Sequence, residues 1–193
     1  MPKQRITEEI VVNAAFEIAR KSGMEQVMVK RIADNIGCSV QPIYSYCTNM
    51  EGLQQRVIER VCDFVKNYVA AHIDKENPFQ STGRAYLRMA KEEPQLFKLF
   101  ITHQRNGISS LADLYETETN PQIAVAIAQE MKISVEQAKQ LHLHMLIYTI
   151  GIGAIFASTS PGIQIEEMLA QQNAAYEVFL KQLLQNVRSD NEY

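Results

Sequence analysis

The sequence predicts an all-α protein, a small N-terminal three-helix domain followed by a larger helical domain. Three observations carry this. Glycine and proline are sparse, 8 and 6 in 193 residues, so chain breakers are few. Apolar residues recur at helical spacing, and no long stretch alternates as a half-buried strand would. Hydrophobic residues make up 46% and charged residues 21%, the balance of a soluble chain with enough apolar surface to bury a core.

Thr7 caps a first helix that runs to Lys21, with Glu8 and Glu9 placed to meet its dipole. Ile10, Val11, Ala14, Ala15, Ile18 and Ala19 form its apolar face, and Gly23 ends it as the residue beyond the C-cap. Two short helices follow. Val29 to Ile36 turns Val29, Ile32, Ala33 and Ile36 inward and stops at Gly37. Ser39 caps the third, which runs to Tyr46. Pro42 falls in its first turn, where the missing N–H has no intrahelical partner to lose. A fourth, long helix starts after Thr48-Asn49. Thr48 with Glu51 has capping-box spacing, and Asn49 is an alternative cap. Leu53, Val57, Val61, Phe64, Val65 and Tyr68 line this helix, which ends before Asn77-Pro78. It joins the two domains, so they are expected at residues 1–50 and 51–193.

In the second domain one helix spans roughly Gln80 to Glu92. Pro94 begins another, through Leu96, Phe97, Leu99, Phe100 and Ile101, ending near Asn106-Gly107. Residues 106–119 show no assignable period. Asn120-Pro121, a cap followed by proline at the first helical position, opens a helix to Met131. Ser134 with Gln137 is a second capping box and opens an apolar helix to Ser158. Ser160-Pro161-Gly162 is a turn. The last helix carries a stripe spaced 3-4-4-3-4-4: Ile165, Met168, Gln172, Tyr176, Phe179, Leu183 and Val187.

Net charge is −3, but unevenly spread. Residues 1–50 hold six Lys/Arg against five Asp/Glu, giving +1, and residues 51–193 hold thirteen against seventeen, giving −4. A near-neutral head on an acidic body fits contact with nucleic acid through one small surface. The cysteines, Cys38, Cys47 and Cys62, are odd in number and lack CxxC spacing. Neither a disulfide framework nor a metal site is expected. MPKQRITEE holds no apolar signal segment, so a cytoplasmic location is expected. Leu141–Ala157 is the most apolar stretch. It falls short of the about 20 residues of a membrane span and contains His142 and His144, so a core helix, not a membrane helix, is expected.

Two short helices joined by a turn at Gly37-Cys38-Ser39 make a helix-turn-helix over Val27–Tyr46. Gly37 suits the turn because it takes positive φ without steric cost. If Ile43 points inward, the second helix exposes Val40, Gln41, Ser45 and part of Tyr44. Its first residues then enter the major groove of double-stranded DNA. Gln41 can pair with adenine through its amide, and Val40 or Pro42 can touch a thymine methyl. Tyr44, Tyr46, Lys30 and the N–H groups at the start of the preceding helix, at Val29, can reach phosphates. Ser39, Ser45 and Asn49 complete the set of candidate DNA contacts.

The run AAFEIARKSGMEQVMVKRIADNIGCSVQPIYSYCTNMEGL resembles the DNA-binding domain of TetR-type transcriptional regulators. The matches are Ala14, Gly23, Ile32-Ala33, Gly37, Ser39, Tyr44, Tyr46, Glu51 and Leu53. Three positions depart from the family's pattern. Met28 stands where Thr or Ser usually caps the second helix, Cys47 where Phe is usual, and Met50 where Lys is usual. That lysine commonly touches a phosphate, and each lost contact of this kind flattens the salt dependence of binding by about one unit. The resemblance implies a ligand-responsive regulator, by family habit a repressor, that binds a near-palindromic operator as a homodimer.

On this footing the second domain is a ligand-binding and dimerisation domain. The stripe on the last helix, with Ile165, Met168, Tyr176, Phe179 and Leu183, is expected at a dimer interface together with the apolar helix before it. An unidentified small-molecule effector is expected among the helices over 80–104, 120–131 and 134–157. The candidate lining residues are Tyr86, Phe97, Phe100, His103, Gln104, His142, Met145 and Tyr148. The polar members are the ones able to orient a ligand. His142 and His144 are spaced i, i+2 and face different ways, so they share no metal. Cys38 or Cys47 is a lesser candidate, as a redox sensor in or beside the reading unit. No GxSxG, P-loop, HExxH or dinucleotide fingerprint is present, so neither an enzyme nor a cofactor is expected. The alternative to DNA binding is a helix-turn-helix used only for protein contacts.

Overall fold

Short polar side chains set where the helices begin. Thr7 accepts the N–H of Ile10 at 3.3 Å and starts α1, Glu8–Ser22. Gly23 (φ +92°) closes that helix, and a single 3₁₀ turn, Met24–Gln26, follows. Then come α2, Val29–Ile36, α3, Gln41–Tyr46, and α4, Met50–His72. Asn49 accepts the N–H of Gly52 at 2.7 Å and caps α4, the alternative cap foreseen. Next are α5, Pro78–Glu92, α6, Pro94–Thr102, α7, Leu111–Glu118, and α8, Pro121–Met131. The chain continues with α9, Val135–Ser158, opened by the reciprocal capping box of Ser134 and Gln137, and α10, Ile165–Asp190. The computed structural model describes residues 6–46, 49–74, 76–119, 121–159 and 162–190, without the side chains of 186–190. Among the described residues there is no strand. Cys47, the expected caps Thr48 and Asn120, the turn residues Ser160 and Pro161, and the side chain of Val187 lie outside them.

The helices form two compact units. The first holds the residues up to 68 together with 92–103, and the second holds 69–91 together with 104 onward. Packing, not chain order, makes this division, because α6 goes with the N-terminal helices. The core of the first unit contains Val11, Ala15, Ile32, Ala33, Ile43, Val57, Val61, Leu96 and Phe97. The second is built on α9, which packs against both α8 and α10. Phe79, Ile127, Leu141, Met145, Tyr176 and Leu183 meet in its centre. Among the described residues α9 is the one helix long and apolar enough to cross a membrane, and 33% of its most apolar window is buried inside the chain.

The structure corrects several expectations. α3 begins at Gln41, so Val40 and not Ser39 occupies the cap position, and the N–H of Tyr44 bonds to the Val40 carbonyl. α5 begins at Pro78 because Asn77 accepts the N–H of Gln80. α6 stops at Thr102, where the chain turns extended at His103. The unassigned segment holds α7, capped by Ser110. The stripe on α10 does not face outward. Met168, Gln172, Tyr176 and Leu183 are buried in the chain's own core, and Ile165 and Phe179 are half-buried. Helical spacing says that a face is covered but not by what, and here α5 and α9 supply ring and hydrogen-bond partners for it.

Candidate nucleic-acid interface

The turn between α2 and α3 rests on one glycine. Gly37 sits in the left-handed region (φ +77°, ψ +37°), and its N–H and that of Cys38 both reach the Ala33 carbonyl, at 2.9 and 3.0 Å. This closes α2 and turns the chain into α3. Ile32, Ala33 and Ile43 are buried beneath the turn, with Val27 at its rear. Burying Ile43 completely leaves the opposite side of α3 with no core role. Gln41, Tyr44 and Ser45 are exposed there, Pro42 is half-buried, and Tyr44 is 62% exposed. Ser39 and Val40 are exposed ahead of the helix. The face therefore pairs a long amide and small apolar groups at its N-terminal end with an aromatic ring one turn on.

Around this face lie donors for phosphate. Lys30 is exposed and Val29 half-buried in the first turn of α2. Met28 offers no side-chain cap, so the opening N–H groups of that helix have no side chain of the cap residue to satisfy them. Arg31, absent from the expected set, is also exposed on α2, and only its solvent position singles it out. Tyr46 is engaged elsewhere. Its hydroxyl donates to the Ile6 carbonyl at 2.9 Å, fastening the end of α3 to the segment before α1. A phosphate contact from Tyr46 requires that bond to be given up. A cleft of about 220 Å³ lies beside it, lined by Val11, Val12, Tyr46, Leu53 and the 2.6 Å ion pair of Arg56 with Glu8. Cys38 is a half-buried free thiol in the turn.

The expected effector residues fall in different units. Phe97, Phe100 and His103 belong to the first unit, where both phenylalanines are buried and His103 Nδ1 lies 2.5 Å from the Phe100 carbonyl. Tyr86, Gln104, His142, Met145 and Tyr148 belong to the second. Burial, and then the Glu118 carboxylate, pushes the Tyr86 phenol up to about 12. Gln104 is exposed, Met145 is core, and Tyr148 stands edge-on to Phe179. The strongest polar constellation of this unit surrounds His142. Its Nδ1 is 2.9 Å from the Tyr115 hydroxyl, and Phe79 and Tyr115 meet the ring edge-on at 5.4 Å each. Burial lowers the His142 imidazole to about 4. Tyr115 and Phe79 were not among the expected residues, and Tyr115 lies in the segment that shows no assignable period. Among the described residues no three His, Cys, Asp or Glu side chains come together as a metal site.

No family model matches the chain. Nucleoid occlusion factors SlmA of Actinobacillus pleuropneumoniae, strains L20 and JL03, are 26% identical over 113 residues. That match takes in 53% of this chain and 54% of each relative, so the chain spans about half the length of the curated relatives it matches. Among solved structures, a TetR-like transcriptional regulator from Rhodococcus sp. RHA1 superposes with a TM-score of 0.62 at 12% identity, covering 92% of this chain and 99% of that one. A TetR-family transcriptional regulator from Haemophilus influenzae RD superposes with a TM-score of 0.56 at 15% identity, covering 88% and 94%. The chain has the all-α fold of these TetR-type proteins over nearly its whole length.

Proposed function

We propose that this chain, folded as TetR-type regulators are, is a cytoplasmic DNA-binding transcriptional regulator, a homodimer that answers to a small-molecule effector. The observation that carries the reading is the outward face of α3, where burial of Ile43 leaves Gln41, Tyr44 and Ser45 in solvent, away from the core of the described residues. Gln41 takes an adenine edge, and Val40 and Pro42 meet thymine methyls. Lys30, Tyr44 and the opening N–H groups of α2 hold the register on phosphates. Effector binding in the second unit shifts α4, the helix that runs from one unit into the other. The two reading heads then no longer fit half-sites about 34 Å apart, and a near-palindromic operator is released from repression. The reading requires no catalytic group, metal or cofactor.

The test starts from a random-sequence duplex pool, enriched on the pure protein. The expected product is a near-palindrome. Gln41→Ala and Tyr44→Ala each weaken its binding, by roughly tenfold or more for the base contact at Gln41, while thermal stability is unchanged. A pool that stays random sinks the reading and leaves a helix-turn-helix used for protein contacts. The match to nucleoid occlusion factors favours a second reading, in which the DNA sites serve nucleoid occlusion and not one promoter. A genome-wide map separates the two: sites gathered upstream of a few genes support the regulator, and sites spread around the chromosome support the second reading.

A further inference from the structure

The first unit contains a helix that arrives from far along the chain. α6 follows α5, yet residues 92–103 pack with α1 to α4. The chain passes between the units at 68/69, 91/92 and 103/104, so α6 is tethered at both ends to the second unit. Two acidic side chains at the junction of α5 and α6, the last residue of α5 and the cap residue of α6, bind the N-terminal helices. Glu93 takes both arms of the Arg20 guanidinium, with Nε at 2.8 Å from Oε2 and the second nitrogen bonded to Oε1. Glu92 accepts the Tyr68 hydroxyl at 2.5 Å. Arg20 also lies 5.3 Å over the Phe64 ring, and Phe64 packs on Phe16 and Tyr68. One guanidinium on α1 thus touches α4 and α6 at once.

Glu93 occupies the cap position of α6 but makes no cap bond, because its carboxylate is spent on Arg20. The Glu93 side chain is only 15% exposed, so removing its partner leaves a largely desolvated charge. Planar two-arm pairing fixes angle as well as distance, which a single point charge does not. α1 in turn carries α2 and α3, since Val11, Ala15 and Ala19 are buried in the same core as Ile32 and Ile43.

We infer that Arg20 and Glu93 are a positioning pair for the DNA-reading surface, a two-pronged fastening of α6 to α1 that fixes how α1 presents α2 and α3. The inference rests on the proposed DNA binding. Arg20 meets no phosphate in this role. It sets the pose of α1 to α3 and leaves the count of ionic contacts to DNA unchanged.

The experiment uses the full chain and the duplex that it selects from a random pool. Glu93→Gln, nearly isosteric, is compared with Arg20→Lys and with the charge-exchanged double variant Arg20→Glu/Glu93→Arg, at several salt concentrations. Glu93→Gln is expected to lower affinity about tenfold, the size of a typical coupling between elements, while the slope against salt stays that of the wild type. Arg20→Lys, which keeps the charge and loses the fork, is expected to fall between, and the exchange to recover most of the loss. Affinity within twofold of wild type for folded Glu93→Gln overturns the inference and leaves DNA binding standing. So does a slope flatter by about one for the charge-removing Arg20→Gln, which would assign Arg20 to a phosphate. Selection of no duplex by the wild-type chain overturns the DNA reading and this role with it.

Discussion

At the scale of single residues, the buried polar groups are where small changes have large effects. His142 is buried between Phe79 and Tyr115, and its imidazole is held near 4 against an ordinary value of 6.5. Above about pH 7.5 the ring is neutral folded and unfolded, and stability does not depend on it. As the pH falls below that, the unfolded chain takes up the proton first. Stability is then lost until the folded ring also protonates near 4. A shift of this size removes about 2 kcal/mol between pH 7.5 and pH 5. Urea unfolding at both pH values measures it. His142→Phe is expected to lose that much less on acidification than the wild type, and equal losses would refute the assignment. Gly83 is a second such position. A Cβ there would run into Gln172 Nε2, whose bond to Thr149 Oγ1 is 2.9 Å long and buried. An Ala in a helix normally gains up to about 1 kcal/mol over Gly. Breaking a buried hydrogen bond costs about 1–3 kcal/mol, so Gly83→Ala should destabilise on balance. A rise in melting temperature would show that Gln172 moves aside freely.

At the scale of helices, the capping residues carry the signal and predict cost. Ser134 accepts the N–H of Gln137 at 3.2 Å, and Gln137 returns a contact to the N–H of Ser134 at 2.9 Å. Ser134→Ala should cost about 1 kcal/mol in chemical unfolding, and no change would mean that α9 is held by packing alone. The same physics explains what was legible. α1, α2, α8 and α9 announce themselves by a cap, a glycine or a proline next to a helical period, while the inward turn of Ile43 enters the sequence reading only as a condition, which its full burial meets. α7 was not readable because its signal is a serine pair with an aspartate. Ser110 accepts the Asp113 N–H, and Asp113 accepts from Ser109, while Tyr115 is its one buried side chain. A helix with one inward residue has almost no period to detect. The division of the expected effector residues between two units was illegible for a different reason. Phe97 and Phe100 lie on apolar helical faces like those of Met145, and only the tertiary division shows that they sit in another unit. The α10 stripe is ambiguous in the same manner, since a covered face looks alike whether its partner is α9 or a second chain.

For the whole molecule, that correction moves the expected dimer surface to the faces left in solvent. From Gln140 to Thr159 the sequence has no Asp, Glu, Lys or Arg. Yet α9 turns Ile147, Gly151 and Ile155, spaced i, i+4 and i+8, outward, with Ile147 47% and Ile155 57% exposed. A charge-free apolar stripe on a 24-residue helix is a poor solvent surface and a good helix–helix seam. Gly151 strengthens the case, because among the described residues nothing beyond its chain neighbours and its own helix backbone lies within 4 Å of where a Cβ would stand. Its lack of a side chain therefore serves no packing within the chain, while it would let a second helix approach closely. Val178 and Leu184 leave exposed apolar groups on α10 as well. Ile147→Glu with Ile155→Glu is expected to turn a dimer into a monomer in sedimentation velocity, with the helical circular dichroism unchanged. Operator affinity should fall by about a hundredfold or more, because each head then binds without the effective concentration its twin supplies. An unchanged dimer would place the seam elsewhere on the molecule. A monomer with undiminished affinity would mean that one head suffices, which the missing cap at Met28 and the methionine at position 50 argue against.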